Sequence, residues 1–215
     1  MKLVHMSDLH YGHNLNANFS KNLPSGDILC LTGDVITSGK PVEWQLFYDF
    51  VQKQSKNYKW ILYVQGNHDY GFSEHRRLIP NFKDISNDIF EVDGVKFAGF
   101  ASQDKFRHAP CFEINLQEAT ERFVNFTEEC DVLLTHFPSH KVLDTFVDRY
   151  SKEVVSGGCI AYHQLYEMNP KVHLHGHIHE CYGIDKVENT TVYNGAQVCE
   201  LYVRQSKNKP HEIEI

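Results

Sequence analysis

Several protein classes are excluded by what the sequence lacks. No apolar run approaches the about 18 residues that a membrane-spanning helix requires. Basic residues are too few for a broad nucleic-acid-binding face, because 21 Lys and Arg stand against 28 Asp and Glu and give a net charge of -7. The six cysteines form no CxxC pair, and the first residues lack the apolar core of a secretory signal. We therefore expect a soluble, cytoplasmic protein with reduced thiols and no membrane partner.

The remaining composition is that of a folded, enzyme-sized domain. The chain has 215 residues, of which 41% are hydrophobic and 13% aromatic, and no repeat or Pro/Gly/Ser linker divides it. We expect one globular domain over residues 1–215. Fourteen histidines are more than a hydrophobic core explains, and most of them lie in a few short segments.

Short runs of Val, Ile, Leu and aromatic residues predict a sheet. The predicted strands are Lys2 to Met6, Ile28 to Leu31, Trp60 to Val64, Val132 to Leu134 and Val172 to Leu174. The turn Asp93-Gly94, between two alternating runs, predicts a β-hairpin. Helices are predicted at residues 42–56, 116–127 and 160–169. The fold class is therefore α/β (α+β), with helices packed outside a sandwich of mixed sheets.

Each predicted strand ends in polar residues of the types that bind metals. In chain order these segments are Ser7-Asp8-Leu9-His10, Thr32-Gly33-Asp34, Gly66-Asn67-His68-Asp69, Thr135-His136 and His175-Gly176-His177-Ile178-His179. Residues just beyond the strands of a sheet converge on one edge, so these side chains can meet around one cleft. In an extended chain, residues two apart point to the same side, which groups Asp8 with His10 and His177 with His179.

Taken singly, these motifs are weak evidence for a metal site. Asp-x-His is common by chance, Gly-Asp is an ordinary turn, and an isolated histidine such as His136 is more often packed in a core than bound to a metal. The Gly-His-x-His segment after a strand is more suggestive. The ordered set of five segments is far more specific than any one member.

In this order the five segments resemble the signature of the calcineurin-like metallophosphoesterases. That signature reads Asp-x-His, Gly-Asp, Gly-Asn-His-Asp/Glu, a further His, and Gly-His-x-His. The segment from Gly33 to Glu43 is similar to the small MPPED-like branch, which is related to the class III cyclic nucleotide phosphodiesterases. Thr135 stands where many members have Gly, and the resemblance is weakest over residues 70–117. It implies a four-layer sandwich of mixed sheets flanked by helices.

The resemblance also implies a site for two divalent metal ions. Its ligands would be Asp8, His10, Asp34, Asn67, His136, His177 and His179. Asp34 would bridge the ions, with Asp8, His10 and His179 on the first and Asn67, His136 and His177 on the second. Such a mixed ligand set accepts Mn, Fe, Zn, Co or Ni, of which manganese is favoured here.

The implied activity is hydrolysis of a phosphodiester. A hydroxide between the two ions would attack the phosphorus in line, and His68 would act as the general acid that protonates the leaving group. The partner would be a phosphate-ester substrate, with a nucleotide as one candidate and a nucleic acid only as substrate. The alternatives are a phosphomonoesterase or a nuclease. A further alternative is a protein-binding scaffold, as in the retromer subunit of this superfamily, against which the complete ligand set argues.

Some polar residues near the motifs have no assigned role. Asp69 could orient His68 or be an exposed turn carboxylate, and His175 could support the site or simply end a strand, so both are left out of the site. The candidates for contact with the phosphate or leaving group are His13, Arg107, His108 and His140. The sequence does not predict an oligomeric state.

Overall fold

The computed structural model describes residues 1–14, 18–21, 23–101, 103–104, 113–114, 129–148, 150–158, 161–199, 201–205 and 207–215. The strands are β1 (Lys2–Met6), β2 (Ile28–Thr32), β3 (Trp60–Val64), β4 (Phe82–Asp84), β5 (Asp88–Val92), β6 (Val95–Phe100), β7 (Gln103–Asp104), β8 (Glu113–Ile114), β9 (Val132–Thr135), β10 (Thr145–Val147), β11 (Val154–Ser156), β12 (Val172–His175), β13 (Gly183–Val187), β14 (Thr190–Asn194) and β15 (His211–Glu214). The α-helices are α1 (Pro41–Gln54) and α2 (Phe72–His75), and 3₁₀ helices span Ala161–Met168 and His179–Cys181.

Two mixed sheets form the centre of the fold. The first has the strand order β15-β1-β2-β3-β4, in which β1 to β4 are parallel and β15 is antiparallel to β1. The second has the order β13-β14-β12-β9-β6-β5, with a parallel centre and antiparallel edges. All five predicted strands form, and β5 and β6 make the predicted hairpin around Asp93-Gly94.

The hydrophobic core between the sheets follows from the two-residue alternation along each strand. Leu3, Cys30 and Leu62 of the first sheet form one buried cluster with residues of the second sheet, including Leu134 and Leu174. Every one of these side chains is fully buried. The alternate residues of the same strands point to the outer faces of the sheets, where helices cover them.

Helix α1 covers the outer face of the first sheet. Pro41 occupies its first turn, a position that proline favours because its missing N–H needs no partner there. Trp44, Phe47, Tyr48 and Val51 are buried against that sheet, as their helical spacing predicts. The mixed sheets flanked by helices confirm the predicted metallophosphoesterase fold class.

The outer face of the second sheet is covered by the 3₁₀ helix Ala161–Met168, through Leu165 and Met168. A helix was predicted at residues 160–169, and its type is 3₁₀. The helix predicted at residues 116–127 lies outside the described residues. The four cysteines in the described part of the chain, Cys30, Cys130, Cys181 and Cys199, are free thiols. None of the helices there is both long and apolar enough to span a membrane.

The carboxyl ends of the central strands meet at one edge of the sandwich. The loop after β1 is tied to the loop after β2, because Asp8 N donates to Gly33 O at 3.0 Å. The loop after β12 is tied to that after β9 by Gly176 N, which donates to His136 O at 3.0 Å. The five polar segments therefore come from loops that are held against each other.

Candidate metal centre

The backbone of four predicted ligands is left-handed. The angle φ is 55° at Asp8, 43° at His10, 51° at Asp34 and 68° at His177. This conformation is uncommon outside glycine and costs on the order of 1 kcal/mol per residue. The extended backbone expected for the Asp8–His10 pair is therefore wrong. The same expectation is wrong for His177 and His179, whose side chains enter different clusters.

The first cluster consists of Asp8, His10 and His179, whose ligand atoms all lie within 4.8 Å of one another. Asp8 Oδ1 is 3.2 Å from His179 Nε2 and 3.9 Å from His10 Nε2. Metal bonds to nitrogen and oxygen of about 2.0–2.2 Å place neighbouring ligand atoms roughly 3–4 Å apart. The spacing of the cluster is therefore that of ligands around one ion.

The second cluster consists of Asp34, His136 and His177, again within 4.8 Å. Asp34 lies between the clusters, because its Oδ2 is 3.3 Å from His136 Nε2 and 3.6 Å from His10 Nε2. Asn67 adjoins the second cluster through its Oδ1, which is 3.1 Å from His136 Nε2. All seven predicted ligands are thus brought together, in the division that the resemblance implies, and their binding of metal stays a prediction.

The hydrogen bonds of His136 and His179 engage Nδ1 and leave Nε2 available to bind a metal. His136 Nδ1 lies 2.7 Å from Thr32 O, and His179 Nδ1 lies 3.0 Å from Cys199 O, so both rings donate from Nδ1 and keep Nε2 as an acceptor. His10 is fully buried, and neither of its ring nitrogens has a hydrogen-bond partner. An unpaired buried nitrogen beside two carboxylates fits a metal ligand.

The electrostatics of the site favour a bound cation. Burial lowers the pKa of His10 and of His177 to about 3, so both rings are neutral and able to bind a metal. Burial acts in the same direction at His136, but the charge of Asp34 outweighs it and raises that pKa to about 9. Burial disfavours the charge on Asp34, yet His136 and other nearby histidines lower its pKa. Positive charge is therefore stabilised beside Asp34.

Asp69 holds the loops that carry the ligands, a role that the sequence analysis missed. The buried carboxylate accepts hydrogen bonds of 2.7–3.3 Å from the N–H groups of Asp34, Val35, Ile36 and Gly66 and from the Tyr63 hydroxyl. The alternative of an exposed turn carboxylate is wrong. Burial and the charge of Asp34 raise the pKa of Asp69 to about 7, and the hydrogen bonds from Tyr63 and Gly66 oppose that shift.

His68 lies beside the clusters with one ring nitrogen held by the backbone. Its Nδ1 donates to Thr37 O at 2.8 Å, so Asp69 does not orient the ring directly. Its backbone N–H donates to Asp34 Oδ1 at 2.8 Å. The His68 side chain lines the cavity next to Asp34 and Asn67. This position suits transfer of a proton to a leaving group in the cavity.

Two glycines allow the loops to approach the carboxylates. A Cβ atom at Gly66 would lie 2.3 Å from Asp34 Oδ1, and one at Gly176 would lie 2.1 Å from Asp8 Oδ2. Both separations are far below van der Waals contact, so any side chain at these positions would displace the carboxylate. Glycine is required at both positions by close packing alone.

The remaining candidates lie around the site or outside it. His175 belongs to neither cluster and makes its hydrogen bond to Gly176 O. His13 stacks on the ring of Tyr202, and His140 Nδ1 lies 2.9 Å from the Ser156 hydroxyl. Arg107 and His108 lie outside the described residues.

Tyr202 is a site residue that no sequence motif indicated. Its ring centroid is 4.7 Å from that of His10, 5.4 Å from that of His179 and 5.9 Å from that of His68. It follows the last metal-binding segment by more than twenty residues in a stretch without a recognisable motif. Only the folded chain shows that this tyrosine covers the histidines.

Comparison with known proteins identifies the family. Residues 1–181 match the family described as Calcineurin-like phosphoesterase. The chain is 28% identical to a UPF0046 protein of Caenorhabditis elegans over 217 residues, which cover 92% of this chain and 70% of that protein. It is 27% identical to Metallophosphoesterase domain-containing protein 1 of Homo sapiens over 225 residues, which cover 90% of this chain and 66% of that protein.

The likeness extends to an archaeal protein and to a solved fold. An uncharacterized protein of Methanocaldococcus jannaschii is 25% identical over 201 residues, which cover 90% of this chain and 87% of that one. A crystal structure with 16% sequence identity superposes with a TM-score of 0.62 and covers 99% of this chain and 98% of the other.

The chain belongs to the calcineurin-like phosphoesterase family, as the motifs predicted. It spans about two thirds of the length of the human relative. Family membership and the two clusters together support a metal-dependent phosphoesterase, which is a hydrolase acting on phosphate esters. Divalent metals are typical of this family, and the donor set of carboxylate, imidazole and amide groups fits them.

Proposed function

We propose that the chain is a dinuclear phosphodiesterase. The observation that carries the proposal is the position of Asp34 Oδ2, which is 3.6 Å from a ring nitrogen of one cluster and 3.3 Å from a ring nitrogen of the other. The ligands would be Asp8, His10, Asp34 and His179 for one ion and Asp34, Asn67, His136 and His177 for the other. When bound, the two cations would supply an acidified water and positive charge for the phosphate oxygens.

The protein's own groups would orient the substrate and move the proton. Asp34 and Asp8 hold fixed negative charge below the phosphate site, and the neutral rings of His10 and His177 complete the ligand sets. Because His68 Nδ1–H donates to Thr37 O, the imidazolium form of His68 would carry its second proton on Nε2 and transfer that proton to the leaving oxygen. This general-acid step contributes about 10² to 10⁴ in rate in enzymes that use it.

The charge of the cavity favours a diester over a monoester. Two divalent cations, two carboxylates and a hydroxide between the ions would leave a net charge of about +1, which the single negative charge of a diester neutralises. A monoester dianion would need a further cation, and the lining residues that the structure describes include no Lys or Arg. They do include Asp148 and Glu180. A dianionic substrate is therefore less well matched.

The proposal is tested by removing the metals with a chelator and restoring them singly as Mn, Fe, Zn, Co or Ni. Turnover is then measured on a panel of diesters, monoesters, cyclic nucleotides and DNA. We expect activity only after metal is restored, strongest with manganese, and faster on diesters than on monoesters. Faster turnover of monoesters would overturn the diester assignment.

Metal content provides the second measurement. Elemental analysis should find two ions per chain in the wild type, and Asp34→Ala should lose both together with activity, because Asp34 faces both clusters. His75→Gln is the matched control, since His75 stacks on Trp44 rather than on a ligand. A protein that binds no metal and keeps its biological function would favour the scaffold alternative.

A further inference from the structure

A cavity of about 300 Å³ opens beside the two clusters. Metal-site residues and His68 supply its polar wall, namely Asp34, Asn67, His68, His177 and His179. Phe146, Val147, Tyr150 and Tyr202 supply much of its apolar surface, and we call these four residues the apolar rim. The cavity therefore joins a site for phosphate to an apolar and aromatic surface.

The apolar rim comes from two short hairpins that expose hydrophobic side chains. One is the ribbon of β10 and β11, and the other is formed by residues 198–199 and 201–204, where Val198 pairs with Arg204. Eight large hydrophobic side chains are exposed in the described part of the chain, and these two hairpins carry five of them. The five are Val147, Tyr150, Val154, Leu201 and Val203. Two of the five, Val147 and Tyr150, line the cavity, so exposed apolar surface borders it directly.

Tyr202 is held firmly in place over the histidines. Its backbone is left-handed, with φ of 60°, and its N–H donates to Cys199 O at 2.7 Å. Asn14 Nδ2 donates to Tyr202 O at 3.0 Å and also to His10 O at 3.1 Å. The exposed ring of His13 stacks on Tyr202 with an interplanar angle of 19°. Tyr202 is thereby held beside His10 with its side chain lining the cavity.

The charges around the rim select against an anionic group. Asp148 is buried, and its Oδ1 accepts the N–H groups of Tyr150 and Ser151 at 2.9 and 2.8 Å, so it is used to form the ribbon turn. Glu180 is exposed and lines the cavity. Its carboxylate would repel a second phosphate or a carboxylate next to the reacting phosphate.

We infer that the apolar rim is the binding site for the leaving group and that this group is uncharged and aromatic. The inference rests on the proposed function, because it takes the clusters as the place where phosphate is held. Tyr202 lies beyond residue 181, where the match to the family ends. A preference for an aromatic leaving group would therefore distinguish this chain from family members that lack the second hairpin.

The test measures binding without turnover. Isothermal titration calorimetry on the manganese-loaded protein compares methyl(naphthyl)phosphinate with dimethylphosphinate, which present the same monoanionic group and contain no ester bond to hydrolyse. We expect at least a tenfold preference of the wild type for the naphthyl compound, from aromatic contact and apolar burial. Tyr202→Leu and Tyr150→Ala should each reduce that preference about three- to fivefold.

Leu78→Ala is the matched control, because Leu78 and Tyr150 are both 93% exposed and Leu78 is not among the cavity-lining residues. It should leave the preference unchanged. Tyr202→Phe should retain the preference, and metal content of both Tyr202 variants is measured because the ring touches His10. Equal affinity of the wild type for the two phosphinates, or a preference that survives both ring deletions, overturns the inference. Failure of the proposed function would instead show as absent turnover of every ester with every metal.

Discussion

The position of His68 depends on Glu43, which does not touch the metal ligands. Glu43 is buried in the first turn of α1, and its Oε2 accepts the N–H groups of Thr37 and Ser38 at 2.9 and 2.8 Å. Its Oε1 accepts the Ser38 hydroxyl at 2.7 Å. Thr37 in turn accepts His68 Nδ1–H through its carbonyl. Removing the carboxylate should therefore loosen His68, the proposed general acid, without removing metal.

The size of the effect follows from the lost hydrogen bonds. In Glu43→Ala two backbone N–H groups lose their acceptor at about 1–3 kcal/mol each, and water at the exposed Ser38 recovers part of this, so we expect a loss of about 2–4 kcal/mol. For a chain of this length that lowers Tm by roughly 10 °C. Glu43→Gln keeps one acceptor oxygen and the side-chain volume, and should cost about 1 kcal/mol.

The assay compares two diesters with different leaving groups at a temperature where all variants are folded. An alkoxide needs a proton to leave, whereas p-nitrophenolate does not, so a displaced His68 should matter only for the alkyl ester. We expect Glu43→Ala to lower kcat about 10- to 100-fold on the alkyl ester and less than about threefold on the p-nitrophenyl ester. Asp49→Asn, on an exposed face of the same helix, is the control.

Equal losses on both esters would refute this reasoning, and so would a fall in metal content. Stability in acid gives an independent check. Burial disfavours the charge on Glu43, but hydrogen bonds from Ser38 and Thr37 outweigh it and lower the pKa below its ordinary value of 4.5. The contribution of Glu43 to stability is then complete above pH 4.5 and is lost as pH falls through the lowered pKa. The stability difference between wild type and Glu43→Gln should shrink in acid.

Three further predictions concern the site itself. His68→Ala should keep both metals and lose about 10² to 10⁴ in kcat on alkyl esters, and full turnover would exclude His68 as general acid. Asp69→Asn replaces an acceptor of five hydrogen bonds by an amide that must turn N–H groups toward donors, so Tm and metal affinity measured by titration should both fall. Unchanged metal affinity would show that Asp69 does not support metal binding. Gly66→Ala places a methyl group 2.3 Å from Asp34 Oδ1 and should abolish metal binding, whereas Gly94→Ala, where the added carbon meets no atom, should retain it.

The sheets and the ligand set were predictable from the sequence because they depend on local patterns. Short runs of Val, Ile, Leu and aromatic residues predicted β1, β2, β3, β9 and β12, and the residues after each strand contained the ordered motif. The conformation of those residues was not predictable. An extended chain and a left-handed turn are equally compatible with Asp8-Leu9-His10, and only contacts to other loops select the second.

The supporting residues were missed for a different physical reason. Asp69 and Glu43 act through backbone N–H groups, which every residue has, so no side-chain pattern marks their partners. Tyr202 reaches His10 from the far end of the chain, and a contact of such long range leaves no local signal. Both kinds of contact depend on the packing of loops, which strand and helix periodicity does not describe.

The hydrogen bonds within the loops oppose the conformational cost of the ligand residues. Four left-handed ligand residues together cost on the order of 4 kcal/mol, and the unpaired nitrogens of the buried His10 add to that cost. The five hydrogen bonds to Asp69 act against this cost, at about 0.5–1.5 kcal/mol each. We expect the two sheets to fold without metal, because their hydrophobic clusters contain none of the predicted ligands, in contrast to small domains that fold only around their metal. Removal of metal should therefore abolish activity while leaving the two sheets intact.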